Sequence, residues 1–399
     1  MSTSSSAQAV PRIFPTSGFE ILDSAEPFEE ETLPAYNADK YYPVRLGEIL
    51  HGRYQVVAKL GYGVTSTVWL GRDLSDSKHV ALKIYVTGVE RNHELSVYDR
   101  IGAVETDHAG QNLIRKLWGH FSLEGPHGRH MCLVHQPLGL SVDQFLYFFP
   151  GRVMSLDALK PCMRQVLGVV DFLHTEAQVI HTGDPKNFSG LEDSEIEAPS
   201  PRKVLGPERT IYTSHIVVPG NGLPLLSDFG EARFSEEEHD EDIMPNLYRA
   251  PEVVLKMKWD NKVDVWSIAL MAWDMVCSQT LFDGRNSDGL FDDRVHLAEM
   301  VAIMGPPPTE FIKRSKVGSV FWDEDGLLLG KWKDLAPVPN MTLEERAADI
   351  QGPDKEAFLK LMRRALTWDP EDRPAAGELI FDEWLMKGLQ LPAHLSKNT

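Results

Sequence analysis

The chain has 399 residues, 42% of them hydrophobic and 25% charged, enough to bury a full core and to form two or three compact units. Lys and Arg total 40 against 59 Asp and Glu, a formal net charge of −19. Such a field argues against direct binding of nucleic acid or anionic lipid and attracts a basic partner, although plain solubility accounts for it equally well.

Residues 1–49 carry Ser, Pro and the cluster Glu29-Glu30-Glu31, and are expected to be an extension without its own core, partly disordered. A β-rich run over 54–60 ends in Gly61-Tyr62-Gly63-Val64-Thr65-Ser66, and further strands are expected over 67–70 and 79–85. Strand, glycine turn and strand make a hairpin whose tip can lie flat over phosphates, because glycine lets the backbone approach closely. By itself a G-x-G pair most often marks only a tight turn. It gains weight from Lys83, set in the apolar strand context V-A-L-K between Leu82 and Ile84. A lysine there needs a partner or must snorkel to water. Nucleotide phosphates would serve, with a helix carboxylate holding the ammonium; an exposed edge-strand lysine is the plainer alternative. Glu94 is the candidate carboxylate, on a helix that Val97 and Tyr98 would anchor, with Asp99 the alternative. Two more strands bracket the turn at 124–128. The second runs into Pro137-Leu138-Gly139, which suits a hinge where backbone groups could pair with an adenine edge.

From Ser155, a plausible N-cap, the pattern turns helical: Leu156, Leu159, Met163, Val166, Val170 and Leu173 recur at spacings of three and four. That helix would deliver the chain to Val179-Ile180-His181-Thr182-Gly183-Asp184-Pro185-Lys186-Asn187. A stretch rich in Ser, Pro and acid follows over about 189–222, without periodicity, and reads as a surface insertion. An apolar run then ends at Asp228-Phe229-Gly230. Further on come Tyr248-Arg249-Ala250-Pro251-Glu252, a hydrophobic helix holding Asp264, and Trp368-Asp369-Pro370-Glu371-Asp372-Arg373-Pro374. Each tripeptide is common by chance; the ordered set is not.

With these residues in view the chain resembles the eukaryotic protein kinases over about residues 50–390, and more closely the SR-protein kinases, in the branch that also holds cyclin-dependent and mitogen-activated kinases. His181-Thr182 where most kinases have His-Arg, Ser66 in place of a third loop glycine, the hinge phrase at 137–139 and the segment 297–307 carry the closer likeness. The insertion before Asp228 is similar to the spacer of fungal-type members. The resemblance implies an α+β, bilobal fold, a small antiparallel sheet with one helix over a larger, mostly helical lobe. Residues 50–136 would form the small lobe and 137–390 the large one, with the insertion at about 189–222, an extra helical insert at about 283–340 and a tail at 391–399. It implies ATP and Mg²⁺. Leu60, Gly61, Gly63, Val68, Ala81, Gln136 and Leu138 would contact the nucleotide, and Lys83 would pair with its α- and β-phosphates and with Glu94. Asp228 and Asn187 would hold the metal ions, and Asp184 would be the catalytic base that takes the substrate hydroxyl's proton. Glu252 would pair with Arg373, and Asp264 would accept hydrogen bonds from the catalytic-loop backbone.

Thr182 stands where kinases switched on by loop phosphorylation carry the arginine that meets the phosphate. The segment after Gly230 is acidic over 235–242, and no basic pocket is evident beside it in the sequence. The expectation is therefore a serine/threonine kinase that needs no activating phosphate and takes basic Arg/Ser-rich protein substrates, the acidic run being either their complement or a solvated loop. One feature opposes this reading. In H-R-D-x-x-x-x-N four residues separate the base from the asparagine, whereas only two separate Asp184 from Asn187. With Pro185-Lys186-Asn187 in register, Gly183 and Asp184 replace three residues, so the loop is one residue short and Asp184 is displaced. Either Gly183 reroutes the loop and returns Asp184 to the hydroxyl, or the chain is a pseudokinase or scaffold that binds nucleotide or partners but transfers poorly.

Cys132, Cys162 and Cys277 lack metal-ligand spacing and argue for a reducing compartment. The longest apolar run, 266–277, contains Asp274 and is too short to span a bilayer, and the first residues show no secretory signal pattern. An intracellular monomer, in cytoplasm, nucleus or both, is expected, with no membrane association.

Overall fold

The computed structural model describes residues 9–88, 93–182, 199–215, 225–323 and 336–389. The chain divides into two units, Met1–Tyr98 with Arg115–Val142 and Pro185–Leu223, and Asp99–Ile114 with Asp143–Asp184 and Pro224–Thr399.

The first unit is built on an antiparallel six-stranded sheet. Its strands are β1 (Ile49–Leu50), β2 (Tyr54–Tyr62), β3 (Ser66–Asp73), β4 (His79–Tyr85), β5 (Leu117–Gly125) and β6 (Gly128–His135), in the spatial order β1-β2-β3-β4-β6-β5. Period-two alternation gives β4 two different faces. Val80, Leu82 and Ile84 join Val56, Trp69, Phe121, Cys132 and Val134 in one buried cluster. Ala81 and Lys83 therefore belong to the opposite face.

The first cluster is closed by residues from beyond the sheet: Val44 of the N-terminal extension and Tyr212 of the insertion both pack into it. The insertion holds a hairpin, β8 (Arg202–Val204) paired with β9 (Thr210–Tyr212), a strand β7 (Val179–Ile180) having come before it in the chain. Its described part belongs with the sheet unit, where the sequence reading had attached it, as an irregular surface segment, to the helical part. The extension, read as lacking a core of its own, buries Glu30, Tyr41 and Val44, whereas Val10, Ile13 and Ile21 are exposed. Neither segment shows apolar periodicity because each contributes scattered residues, Tyr41, Val44, Ile211 and Tyr212, to a core that belongs mostly to the sheet.

The second unit is mostly helical. Helix α1 (His93–Gly102) starts in the first unit and ends in this one. Helix α2 (Leu156–Phe172) begins at Ser155, whose hydroxyl accepts the N–H of Ala158 at 3.3 Å, and buries Leu156, Leu159, Met163, Leu167 and Val170. It passes into a wider π-type turn over Leu173–Ala177, and Gln178, at φ 55°, turns the chain into β7. Strand β7 pairs with β10 (Arg233–Phe234). Helix α3 (Lys262–Val276) is apolar almost all round and forms the centre of this core, with α2 and α5 (Lys355–Ala365) packed on it; α4 (Asp293–Met304) precedes α5 in the chain.

Fully buried Glu252 and Arg373 form a two-pronged ion pair, Nη1–Oε1 2.6 Å and Nη2–Oε2 2.7 Å. The remaining guanidinium protons go to the carbonyls of Thr367 and Lys262, so the buried charge is satisfied on every side.

Candidate active site

In the first unit the register sets four strands in one row: Gly61 faces Val68, Val68 faces Lys83, and Lys83 faces Leu133. One step along, Leu70 faces Ala81 and Ala81 faces His135. Val68, Ala81 and Lys83 thus share the face opposite the large apolar cluster, with the glycine turn at its margin. No described atom lies within 4 Å of where a Cβ would stand on Gly61 or Gly63, so the turn's backbone is open to a close approach.

Lys83 has found the partner its apolar strand requires. Its Nζ lies 2.7 Å from Oε2 of Glu94, which is 2% exposed. The same carboxylate oxygen accepts the hydroxyl of Tyr85. Two donors on one oxygen fix the carboxylate, and the carboxylate fixes the ammonium. Asp99, the alternative, is not the lysine's partner. Tyr85 was not singled out from sequence, yet it lies two residues after Lys83 in a strand, on the same face, and alternation could have found it.

Leu60 is half-buried and packs with Phe14 of the extension against Val57, Ala58 and Leu70. Gln136 already uses its backbone: its N–H donates to the Lys116 carbonyl at 3.0 Å, and its own carbonyl accepts from Arg115 at 2.9 Å. An adenine edge would therefore find its donor at Leu138 rather than at Gln136.

In the second unit Asp264, 4% exposed, gathers the loop that enters the catalytic stretch. Its Oδ2 accepts the His181 N–H at 2.9 Å and its Oδ1 the Thr182 N–H at 3.0 Å. His174 Nε2 lies 2.8 Å from Oδ2. Burial pushes this carboxyl's pKa up, but the bond and charge of His174, then His181, outweigh it and hold the group below the ordinary range. His181 stacks edge-on against Phe229 and reaches the Ser227 carbonyl at 3.0 Å, which ties this loop to the Asp228-Phe229-Gly230 turn. Thr182 donates its hydroxyl to the Glu231 carbonyl. Thr182 and Asp228 have φ of 51° and 66°, a left-handed conformation costly for residues with a side chain. His174 was not foreseen; it lies in the π-type turn seven residues before His181.

Gly183, Asp184 and Asn187 lie outside the described residues. Asp228 is described and exposed.

The acidic stretch after Gly230 differs from expectation. Among the described residues five Lys and Arg side chains meet it, and of these only Arg233 adjoins it in sequence. Arg100 pairs with Glu236 at 2.5 Å, Lys258 with Glu238 at 2.6 Å, Lys316 with Asp240 at 2.6 Å and Arg233 with Glu241 at 2.7 Å, while Lys256 pairs with Asp242. Glu236, Asp240 and Asp242 are held below the usual carboxylate range by Arg100, Lys316 and Lys256 respectively. A basic environment therefore exists here, assembled from residues distant in the chain, and the chain's own carboxylates occupy it.

Comparison with known proteins accords with this geometry. Residues 211–385 match the family model described as protein kinase domain. A serine/threonine protein kinase of Aspergillus fumigatus is 42% identical over 385 residues, covering 95% of this chain and 96% of that protein. The serine/threonine-protein kinase SRPK of Physarum polycephalum is 28% identical, over 90% of this chain and 92% of its own. The crystal structure of a kinase domain matches with a TM-score of 0.66 at 22% identity, over 88% of this chain and 100% of that one, a likeness of fold. This chain belongs to the eukaryotic protein kinase family and is a serine/threonine protein kinase. Its fold is the α+β fold of that family, and membership implies ATP as the phosphoryl donor. Among the described residues no helix is long and apolar enough to cross a membrane.

Proposed function

We propose that the protein transfers the γ-phosphate of ATP to serine in basic, Arg/Ser-rich protein substrates, without needing a phosphate on its own activation segment. The Lys83–Glu94 pair, placed in the row that begins at Gly61 and Val68, carries the nucleotide half of this reading. Such a row sets an oriented ammonium beside a backbone open enough to lie over phosphates. Leu60, Val68 and Ala81 would cover the base and ribose, and the hinge backbone near Leu138 would meet the adenine edge. Asp184 would take the proton from the serine hydroxyl. Asp228 and Asn187 would hold Mg²⁺, which supplies positive charge against the phosphates. The sheet unit, with the described insertion, would be the small lobe and the helical unit the large one.

The paired acids support independence from loop phosphorylation. In a phosphate-activated segment the added charge meets arginines and orders the chain. Here Glu236, Glu238, Asp240, Glu241 and Asp242 already meet bases, and Thr182 binds the segment's backbone in place of an arginine. A net charge of −19 favours basic substrates, as does the likeness to SR-protein kinases. The three described thiols are unpaired, in keeping with the cytoplasm or nucleus, and we take the active form as a monomer.

Transfer from radiolabelled ATP with Mg²⁺ to an Arg/Ser repeat peptide and to an acidic serine peptide tests substrate class. Preference for the basic peptide by at least about tenfold in kcat/KM is expected, a difference that should shrink as salt rises. Equal use of both would remove the substrate assignment and leave the kinase.

A further inference from the structure

Phosphoryl transfer leaves the joined layer of extension and insertion without a role. The two segments are bound to each other along their length. The Leu22 N–H donates to the Arg202 carbonyl and the Arg202 N–H to that of Glu20, both at 3.0 Å. Lys203 binds Glu31 at 2.7 Å. The guanidinium of Arg209 donates to the carbonyls of Ala38 and, at 2.9 Å, Tyr41.

This layer holds β2, the strand that leads into the glycine turn, and then the turn itself. Lys59, two residues before Gly61, buries its ammonium against Glu30, with Glu29 at 3.3 Å. Ser214 of the insertion fixes Glu29 through hydroxyl and N–H, and the His215 N–H donates to the Lys59 carbonyl at 2.9 Å. Lys40 accepts the Thr87 N–H at 2.8 Å, and the next residue, Tyr41, is 5% exposed. Its hydroxyl stands 3.0 Å from the Gly63 carbonyl and 3.3 Å from that of Val64, so one proton is shared between two carbonyls at the turn's tip.

We propose that Tyr41 is a positioning residue for the nucleotide: held by the layer of residues 9–48 and 199–215, it fixes the conformation of the glycine turn. The proposal rests on the reading that Gly61 and Gly63 cover the phosphates. A glycine turn is costly to order, since its residues have the most conformational freedom to lose. A hydroxyl that binds its carbonyls beforehand removes part of that cost from nucleotide binding. The donor is retained at working pH, because burial, then the charge of Glu30, raises the phenol's pKa. Any ordered residue could brace a sheet. Binding at the tip is different, because the tip is the part of the hairpin that meets the ligand.

The test is Tyr41→Phe in the full chain, which keeps the ring and removes only the donor. KM for ATP should rise about two- to tenfold, the worth of one such bond, with KM for a peptide substrate unchanged and the melting temperature within about two degrees. Amide hydrogen exchange of the nucleotide-free protein should quicken over 63–67. Arg209→Ala, which frees the same segment from the insertion side, should move both readouts in the same direction. Unchanged KM for ATP, or a rise in both KM values together with a lowered melting temperature, would overturn the proposal. Lys83→Met separates the two levels. If it abolishes ATP binding while Tyr41→Phe does nothing, the site reading stands and Tyr41 is merely structural; if ATP binding survives Lys83→Met, the site reading fails and the proposal with it.

Discussion

Asp264 shows how one buried charge holds a loop in place. Three donors converge on it, two of them backbone N–H groups of the loop entering the catalytic stretch. Asparagine in its place would present an N–H to groups that are themselves donors. Asp264→Asn should cost about 2–3 kcal/mol at pH 7, measured by urea unfolding. The folded-state pKa is lowered, so this stabilisation is fully present above the unfolded carboxylate value, about 3.9, and is lost as pH falls through the lower folded value. The stability gap between wild type and variant should therefore be constant from pH 7 to about 5 and close below about 4. A gap independent of pH would mean that the charge does not matter. The acid's position could be read from sequence because it interrupts an apolar helix, and such an interruption needs a partner. Glu252 and Arg373 were readable only through the motifs that frame them; nothing in their spacing of 121 residues announces a pair.

At the level of elements, the sheet and its glycine hairpin were largely legible, since alternation and turn residues act within a few positions of each other. The extension and the insertion were not. Their few apolar residues have meaning only against each other and the sheet, and a scattered contribution leaves no period to detect. The activation segment failed for a related reason: its acids are consecutive and conspicuous, whereas their bases, Arg100, Lys256, Lys258 and Lys316, come from elsewhere in the chain. Each such exposed pair is worth little alone, but five along one short segment can hold its path. Phosphatase treatment should thus leave kcat within about twofold, while charge reversal at Lys258 and Lys316 together should lower it severalfold. A stoichiometric phosphate in this segment that activity requires, seen by mass spectrometry, would contradict the assignment.

Over the whole molecule, the residues proposed for the two halves of the kinase chemistry fall in different units: the lysine, its carboxylate and the glycine turn in one, the Asp264-supported loop and Asp228 in the other. The described part of the insertion, 199–215, and the extension join the first unit, where the proposed role of their layer is to brace the glycine turn. The shortened spacing between Asp184 and Asn187 bears on the central claim directly. A displacement of about 1 Å at a catalytic group can lower a rate on the order of a hundredfold. The direct measurement is single-turnover transfer of the γ-phosphate to an Arg/Ser peptide by wild type, Asp184→Ala and Lys83→Met. The account predicts transfer by wild type, a loss of at least about a hundredfold with Asp184→Ala while ATP still binds, and loss of ATP binding with Lys83→Met. Transfer that is unchanged in Asp184→Ala, or wild type that binds ATP and transfers nothing, would contradict it.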